Sequence, residues 1–138
     1  MRIAIVVSQF NKAISDRLLA GAQKGLQESG IPSKNMEVFE VPGAFEIPLI
    51  AAKLAKSKKW SGIIALGCVL KGETDHYRAV CNGVTYGIQK VSIEGRVPVM
   101  FGVLMCQTKK QALARCKNDS TNKGYECANG LLTLLKVT

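Results

Sequence analysis

The sequence predicts an α/β fold: a three-layer sandwich with a central four-stranded parallel sheet and helices on both faces. Three observations carry this expectation. Short, continuous apolar runs such as Ile3-Ala4-Ile5-Val6-Val7 and Ile63-Ile64-Ala65-Leu66 have the character of strands buried on both sides. Segments with apolar residues at helical spacing separate them. The two patterns alternate four times along the chain, and strand–helix–strand succession builds a parallel sheet.

The elements follow in order. Arg2 to Ser8 reads as a buried strand. Residues 14 to 29 place Ile14, Leu18, Leu19, Ala22 and Leu26 on one helical face, and Gly30 followed by Pro32 stops that helix. Met36 to Val41 alternates apolar with acidic residues, as a strand does. Pro42-Gly43 turns the chain, and Phe45 to Lys58 reads as a helix whose first turn is the one place that tolerates Pro48. Gly62 to Leu70 is a second continuous apolar strand, followed by a long helix from Asp75 to about Ile93. That helix carries Val80, Val84, Ile88 and Val91 as an apolar stripe, with Cys81, Tyr86 and Gly87 elsewhere. Val97 to Met105 is the fourth strand, Thr108 to Lys117 a helix, Asn118 to Thr121 a loop, and Lys123 to Lys136 the last helix. With neither repeats nor a linker, residues 1–138 are expected to form one domain, flavodoxin-like in strand order.

Composition narrows the function. A chain of 138 residues with 47 % hydrophobic and 21 % charged residues has a globular balance. No apolar run approaches the ~18–20 residues of a membrane span, and no secretory signal is expected. The net charge of +9 has a dense patch at Lys53, Lys56, Lys58 and Lys59, at a predicted helix end where the dipole favours cations. The 6 % aromatic residues do not interleave with the basic ones, so no nucleic-acid partner is expected. Five cysteines without a CxxC pair read as reduced, mostly buried thiols of a cytoplasmic protein. One histidine and no paired Cys/His spacing exclude a zinc site from the expectations.

Ligands of an open parallel sheet sit outside the carboxyl ends of its strands. Here those ends are Gln9-Phe10-Asn11, Pro42-Gly43-Ala44-Phe45-Glu46, Gly72-Glu73-Thr74-Asp75-His76 and Met105-Cys106-Gln107. Gly72-Glu73-Thr74 ahead of a helix reads either as an anion cradle of backbone N–H groups or as an ordinary capped turn. It lacks the Gly-Lys-Ser/Thr signature of a P-loop. His76, the single histidine, stands beside that turn, and imidazole is the side chain suited to moving protons near neutral pH. Phe10 either stacks on a planar ring or completes a rim, Glu46 either meets a ligand or complements a helix dipole, and Arg115 either reaches a phosphate or faces solvent. No Ser/His/Asp or Cys/His arrangement can be assigned. The residues thus describe a domain for a small anionic ligand with one histidine poised for proton transfer.

Six segments go further: Phe10-Asn11; Val41-Pro42-Gly43-Ala44-Phe45-Glu46-Ile47-Pro48; Gly67 to Tyr77, with Gly72-Glu73-Thr74-Asp75-His76-Tyr77; Pro98 to Leu104; Gln111 to Arg115; and Asn122-Lys123-Gly124. In this order, from the first strand to the last helix, they resemble the lumazine synthase family of riboflavin biosynthesis. The resemblance implies an enzyme that condenses 5-amino-6-(D-ribitylamino)uracil with 3,4-dihydroxy-2-butanone 4-phosphate, releasing phosphate and water, without metal or organic cofactor. It implies that Phe10 stacks on the pyrimidine and that Ala44, Phe45 and Glu46 line the site, with Glu46 on ribityl hydroxyls. It implies backbone contacts from Cys68, Val69 and Leu70, and a phosphate cradle of Gly72, Glu73 and Thr74 joined by Arg115. His76 is then the general acid/base, and Phe101 and Lys123 complete the pyrimidine end. The family places its site between neighbouring subunits, so a homo-oligomer is implied, a pentamer or a multiple of pentamers. Because the chain opens directly at its first strand, a pentamer or a pair of pentamers is expected ahead of a sixty-subunit capsid. A flavin- or pteridine-binding protein that keeps the pocket without turnover is the alternative. The chain departs from the family pattern at Lys71, where arginine is common, at Asp75, and at Met105-Cys106-Gln107, which replaces a more polar stretch.

Overall fold

The computed structural model describes residues 1–138. Strands β1 (Ile3–Ser8), β2 (Met36–Val41), β3 (Gly62–Leu70) and β4 (Val99–Cys106) form one sheet in the order β2-β1-β3-β4, every pairing parallel. This is the first four-strand part of the flavodoxin-like order, and the three-layer expectation holds. The helices are α1 (Lys12–Glu28), α2 (Ile47–Ser57), α3 (His76–Glu94), α4 (Lys109–Leu113) and α5 (Lys123–Leu135).

The period of two along each strand divides the core. Ile3, Ile5 and Val7 of β1, with Ile64, Leu66 and Cys68 of β3, face α1 and α5. Ala4 and Val6, with Ile63 and Ala65, face α2 and α3. Both central strands are therefore sealed on two sides, which is why they read as unbroken apolar runs. Full burial of a side chain of this size stabilises by about 1.5–3 kcal/mol, so these strands dominate the cohesion of the sandwich. On α3 the predicted stripe holds: Val84 and Ile88 are fully covered, and Val80 and Val91 pack against the same cluster.

Beyond shifts of one or two residues at several ends, the structure departs from the sequence expectations in four ways. The helix expected from Phe45 begins with a 3₁₀ turn at Ala44–Glu46, and α2 starts at Ile47, with Pro48 in its first turn as required. The strand expected from Val97 starts at Val99, because Pro98 offers its carbonyl to Ile63 but has no N–H to donate. The helix expected over 108–117 ends at Leu113. Beyond it the amides of Arg115 and Cys116 reach back only three residues, and Cys116 turns into the core. A short 3₁₀ turn, Ser33–Asn35, leads into β2.

Candidate active site

The carboxyl ends of β1, β2 and β3 converge at one end of the sheet. Asn11 caps α1 in the left-handed conformation, with φ of 61°. Its side-chain amide donates to the Cys68 carbonyl at 2.9 Å, tying the end of β1 to the end of β3. The Phe10 N–H donates to the Pro42 carbonyl at 3.1 Å, which ties the same turn to the end of β2. Held between these two links, the Phe10 ring projects outward and is 72 % exposed. A large aromatic side chain offered to solvent from a clamped turn is a ready stacking surface.

Across the Pro42-Gly43 turn, Glu46 Oε1 accepts the Gly43 N–H at 2.9 Å, leaving Oε2 without a protein partner. Ala44 is buried and Phe45 is largely exposed. The Phe45 ring lies against α3 where that helix has Gly83; a Cβ there would meet Phe45 Cε1 at 2.5 Å. Glycine at this position lets the aromatic ring lie close against the helix. Cys68 is buried, and burial, followed by the nearby Cys106 and Cys116 thiols, pushes its pKa up to about 12. It offers the site a carbonyl rather than a thiolate.

The turn after β3 joins β4 through the Lys71 N–H, which donates to the Cys106 carbonyl at 3.0 Å. Gly72 to Asp75 are exposed, and α3 starts at His76. The His76 N–H donates to Thr74 Oγ1 at 3.3 Å. The backbone amides of Gly72, Glu73, Thr74, Tyr77 and Arg78 have no acceptor within the chain. Features of both sequence readings are present: Thr74 Oγ1 accepts the His76 N–H as in a capped turn, while Asp75 makes no side-chain cap and free N–H groups stand at the start of a 19-residue helix. The His76 side chain stands exposed beside it.

Phe101, Arg115 and Lys123 sit elsewhere, together. With Val103, Met105 and Cys106 they line a groove of about 710 Å³ along the open edge of β4, roofed by α4 and the start of α5. The Lys123 N–H donates to the Arg115 carbonyl at 2.7 Å, which holds the two cationic residues on adjoining backbone. Arg115 is near enough to Cys106 to oppose the upward effect of burial on that thiol. None of Phe10, Glu46 or His76 lines this groove. The order of the sheet puts β2 and β4 three inter-strand spacings apart, about 14 Å. Of the departures from the family pattern, Met105 and Cys106 lie on the groove wall, and the Gln107 N–H is spent on Gln111 Oε1 at 2.8 Å.

Over residues 1–138 the chain matches the family described as 6,7-dimethyl-8-ribityllumazine synthase. The chain belongs to the lumazine synthase family. A protein of that name from Pediococcus pentosaceus is 47 % identical over 137 residues, spanning 99 % of this chain and 88 % of the relative. One from Coxiella burnetii is 46 % identical over 136 residues, spanning 99 % of this chain and 90 % of the relative. Membership makes the chain an enzyme, a transferase of riboflavin biosynthesis, and the parallel sandwich agrees with a lumazine synthase fold.

Two positioning residues of this lumazine synthase family member escape a reading by side-chain chemistry. Asn11 was legible only as the neighbour of Phe10, yet its side chain ties the end of β1 to the Cys68 carbonyl at the end of β3. Asn122, 2 % exposed, caps α5 by accepting the Gly124 and Tyr125 N–H groups, and donates to the Arg17 and Lys117 carbonyls. It thereby fixes Lys123 in space. The available signal was an asparagine directly before a helix, a common capping choice.

Proposed function

We propose that this chain is one domain that condenses 5-amino-6-(D-ribitylamino)uracil with 3,4-dihydroxy-2-butanone 4-phosphate to give 6,7-dimethyl-8-ribityllumazine, phosphate and water. The observation that carries the reading is the run of unpartnered amides at the start of α3, with His76 beside it, at the carboxyl end of a central strand. A phosphate seated on the amides of Gly72, Glu73 and Thr74 brings the butanone within reach of the imidazole. His76 then takes and returns the protons that imine formation, phosphate elimination and ring closure require. Phe10 stacks on the pyrimidine, Glu46 Oε2 accepts from ribityl hydroxyls, and Ala44, Phe45 and the backbone of Cys68, Val69 and Leu70 line the same site. Holding two reactants in register supplies much of the rate, since well-oriented pairs reach effective molarities of ~10⁵ M or more. Neither metal nor organic cofactor enters this scheme.

Arg115, with Phe101 and Lys123, completes the site from a neighbouring copy. Phe101, Arg115 and Lys123 line a groove that includes none of Phe10, Glu46 or His76 and lies open along the edge strand β4, which supports reading it as the part of the site offered to a second copy. The working unit is accordingly a homo-oligomer, a pentamer or a multiple of pentamers, and the five free thiols suit a cytoplasmic setting. The test is to mix both substrates with the protein and follow lumazine absorbance and fluorescence. Product formation above the spontaneous background is expected. Ligand-dependent quenching without product would instead identify a flavin- or pteridine-binding protein.

A further inference from the structure

At the end of the sheet opposite the candidate site lies a larger groove, about 820 Å³. The carboxyl-terminal ends of α2 and α3 and the residues leading into β3 and β4 enclose it. Its floor is apolar, formed by Ala55, Trp60, Val91 and Val97. Its walls carry Lys56, Lys58, Lys90 and Arg96 against a single carboxylate, Glu94. None of these five takes part in an ion pair.

Helix ends explain only part of this concentration of charge. Lys58 caps α2 and Arg96 follows α3, where cations offset the negative end of the dipole. That effect is confined to the last turn, and Lys90 stands a full turn before the end of α3, its ammonium 5.7 Å from the Tyr86 ring centre. Lys58 and Arg96 also hold left-handed φ angles of 61° and 57°. Glycine or asparagine adopts that conformation at lower cost and usually ends a helix. Two positions suited to glycine thus carry long cations on the wall of one groove.

We propose that this groove docks an acidic segment of a partner protein, an extended peptide whose carboxylates meet the four cations while an apolar side chain rests on the floor. The cations are spread over two helix ends and the residues that follow them, an arrangement that an extended run of carboxylates can follow. The volume falls in the range of sites that hold a sizeable organic ligand, about 300–1,000 Å³. Nucleic acid fits less well, because single strands bind through stacking on open aromatic faces. Trp60 is buried, with the Arg2 guanidinium 4.5 Å over its ring and Phe39 edge-on at 5.7 Å. The net charge of +9 steers an acidic partner toward the protein, and the groove then selects by shape.

The test uses the intact protein and a short fluorescein-labelled peptide of aspartates and glutamates around a leucine pair, read by anisotropy at low salt. Lys56→Gln with Lys90→Gln removes two cations at helical positions that tolerate glutamine. Ala52→Phe keeps every charge and fills the groove from an exposed wall position. The double variant is expected to weaken binding by about tenfold or more, and Ala52→Phe by about threefold, with Lys34→Gln unchanged. Synthase activity and circular dichroism should match the parent throughout. Equal peptide affinity in the double variant, or in Ala52→Phe, would overturn the proposal. So would tighter binding of oligothymidylate lost through the same double variant, which would assign the groove to nucleic acid.

Discussion

His76 and Arg115 divide the proposed chemistry between proton transfer and charge recognition, and single substitutions separate the two. His76→Ala removes the proton carrier from an exposed position, so the fold should persist while turnover falls. General acid–base catalysis contributes ~10²–10⁴, and because proximity supplies much of the rate here, the loss should lie at or below the low end. Steady-state rates across about pH 6 to 8 check this; a variant matching its parent throughout would remove His76 from the mechanism. Arg115→Ala takes away a charge-assisted contact worth about 1.5–3 kcal/mol. KM for the phosphorylated butanone should rise roughly tenfold or more while KM for the pyrimidine changes little. Equal increases for both substrates would give Arg115 a structural role. Cys68 sets a pH dependence of a different kind. Its folded pKa of about 12 lies above the ~8.5 of a free thiol, so the folded state keeps a proton that the unfolded chain releases. The stabilisation is complete below about pH 8.5 and drains away as pH rises toward 12; Cys127, raised to about 11, adds in the same direction. Urea midpoints should fall on the alkaline side, and Cys68→Ala should make that fall shallower.

Among the elements, the pair α1 and α5 holds the proposed Arg115–Lys123 half-site in place. Their axes approach closely because Gly124 and Gly21 present no side chains to each other's helices. A Cβ on Gly124 would drive into the Leu18 carbonyl, backbone that cannot rotate away as a side chain can. Gly124→Ala should therefore cost about 3 kcal/mol, the upper part of the range for overpacking, measured by urea unfolding. It should also weaken substrate binding, because Lys123 is the adjacent residue and would move with the start of α5. An unchanged midpoint would mean that the two helices separate freely. On the other face, α2 and α3 meet at Gly87, where a Cβ would lie 2.6 Å from Pro48. Phe45 rests on α3 at Gly83 by the same device, so the glycines of α3 shape one wall of the candidate site.

For the whole molecule, the separation of Phe10, Glu46 and His76 from the Phe101 groove is the feature with functional weight. The groove lies along the edge strand β4 and takes in none of these three residues. Phe45 is 57 % exposed, Leu49 59 %, Tyr86 68 % and Ile93 69 %, an apolar surface beyond what one sheet face requires. Light scattering on serial dilution, with activity followed in parallel, should show rate falling as the assembly dissociates. A fully active monomer of 14.9 kDa would overturn the shared site, whereas a particle near sixty times that mass would overturn only the preference for a pentamer.

Periodicity alone determined the architecture. The central strands and long helices are legible because burial on two faces or on one stripe leaves an unambiguous pattern of apolar residues. The segments at the strand ends were legible too, since the carboxyl ends of parallel strands are where ligands bind and the motifs there match a known family. The short α4, the late start of β4 and the 3₁₀ turn before α2 were decided in three dimensions. Cys116, Pro98 and Glu46 each answer to a partner far away or to a local hydrogen bond that no periodic pattern encodes. A site shared between neighbouring subunits was already implied by the family resemblance; the sheet order adds which strand borders each group of residues. The order β2-β1-β3-β4 itself was decided in three dimensions, through hydrogen bonds between segments 30 to 60 residues apart that no local pattern encodes.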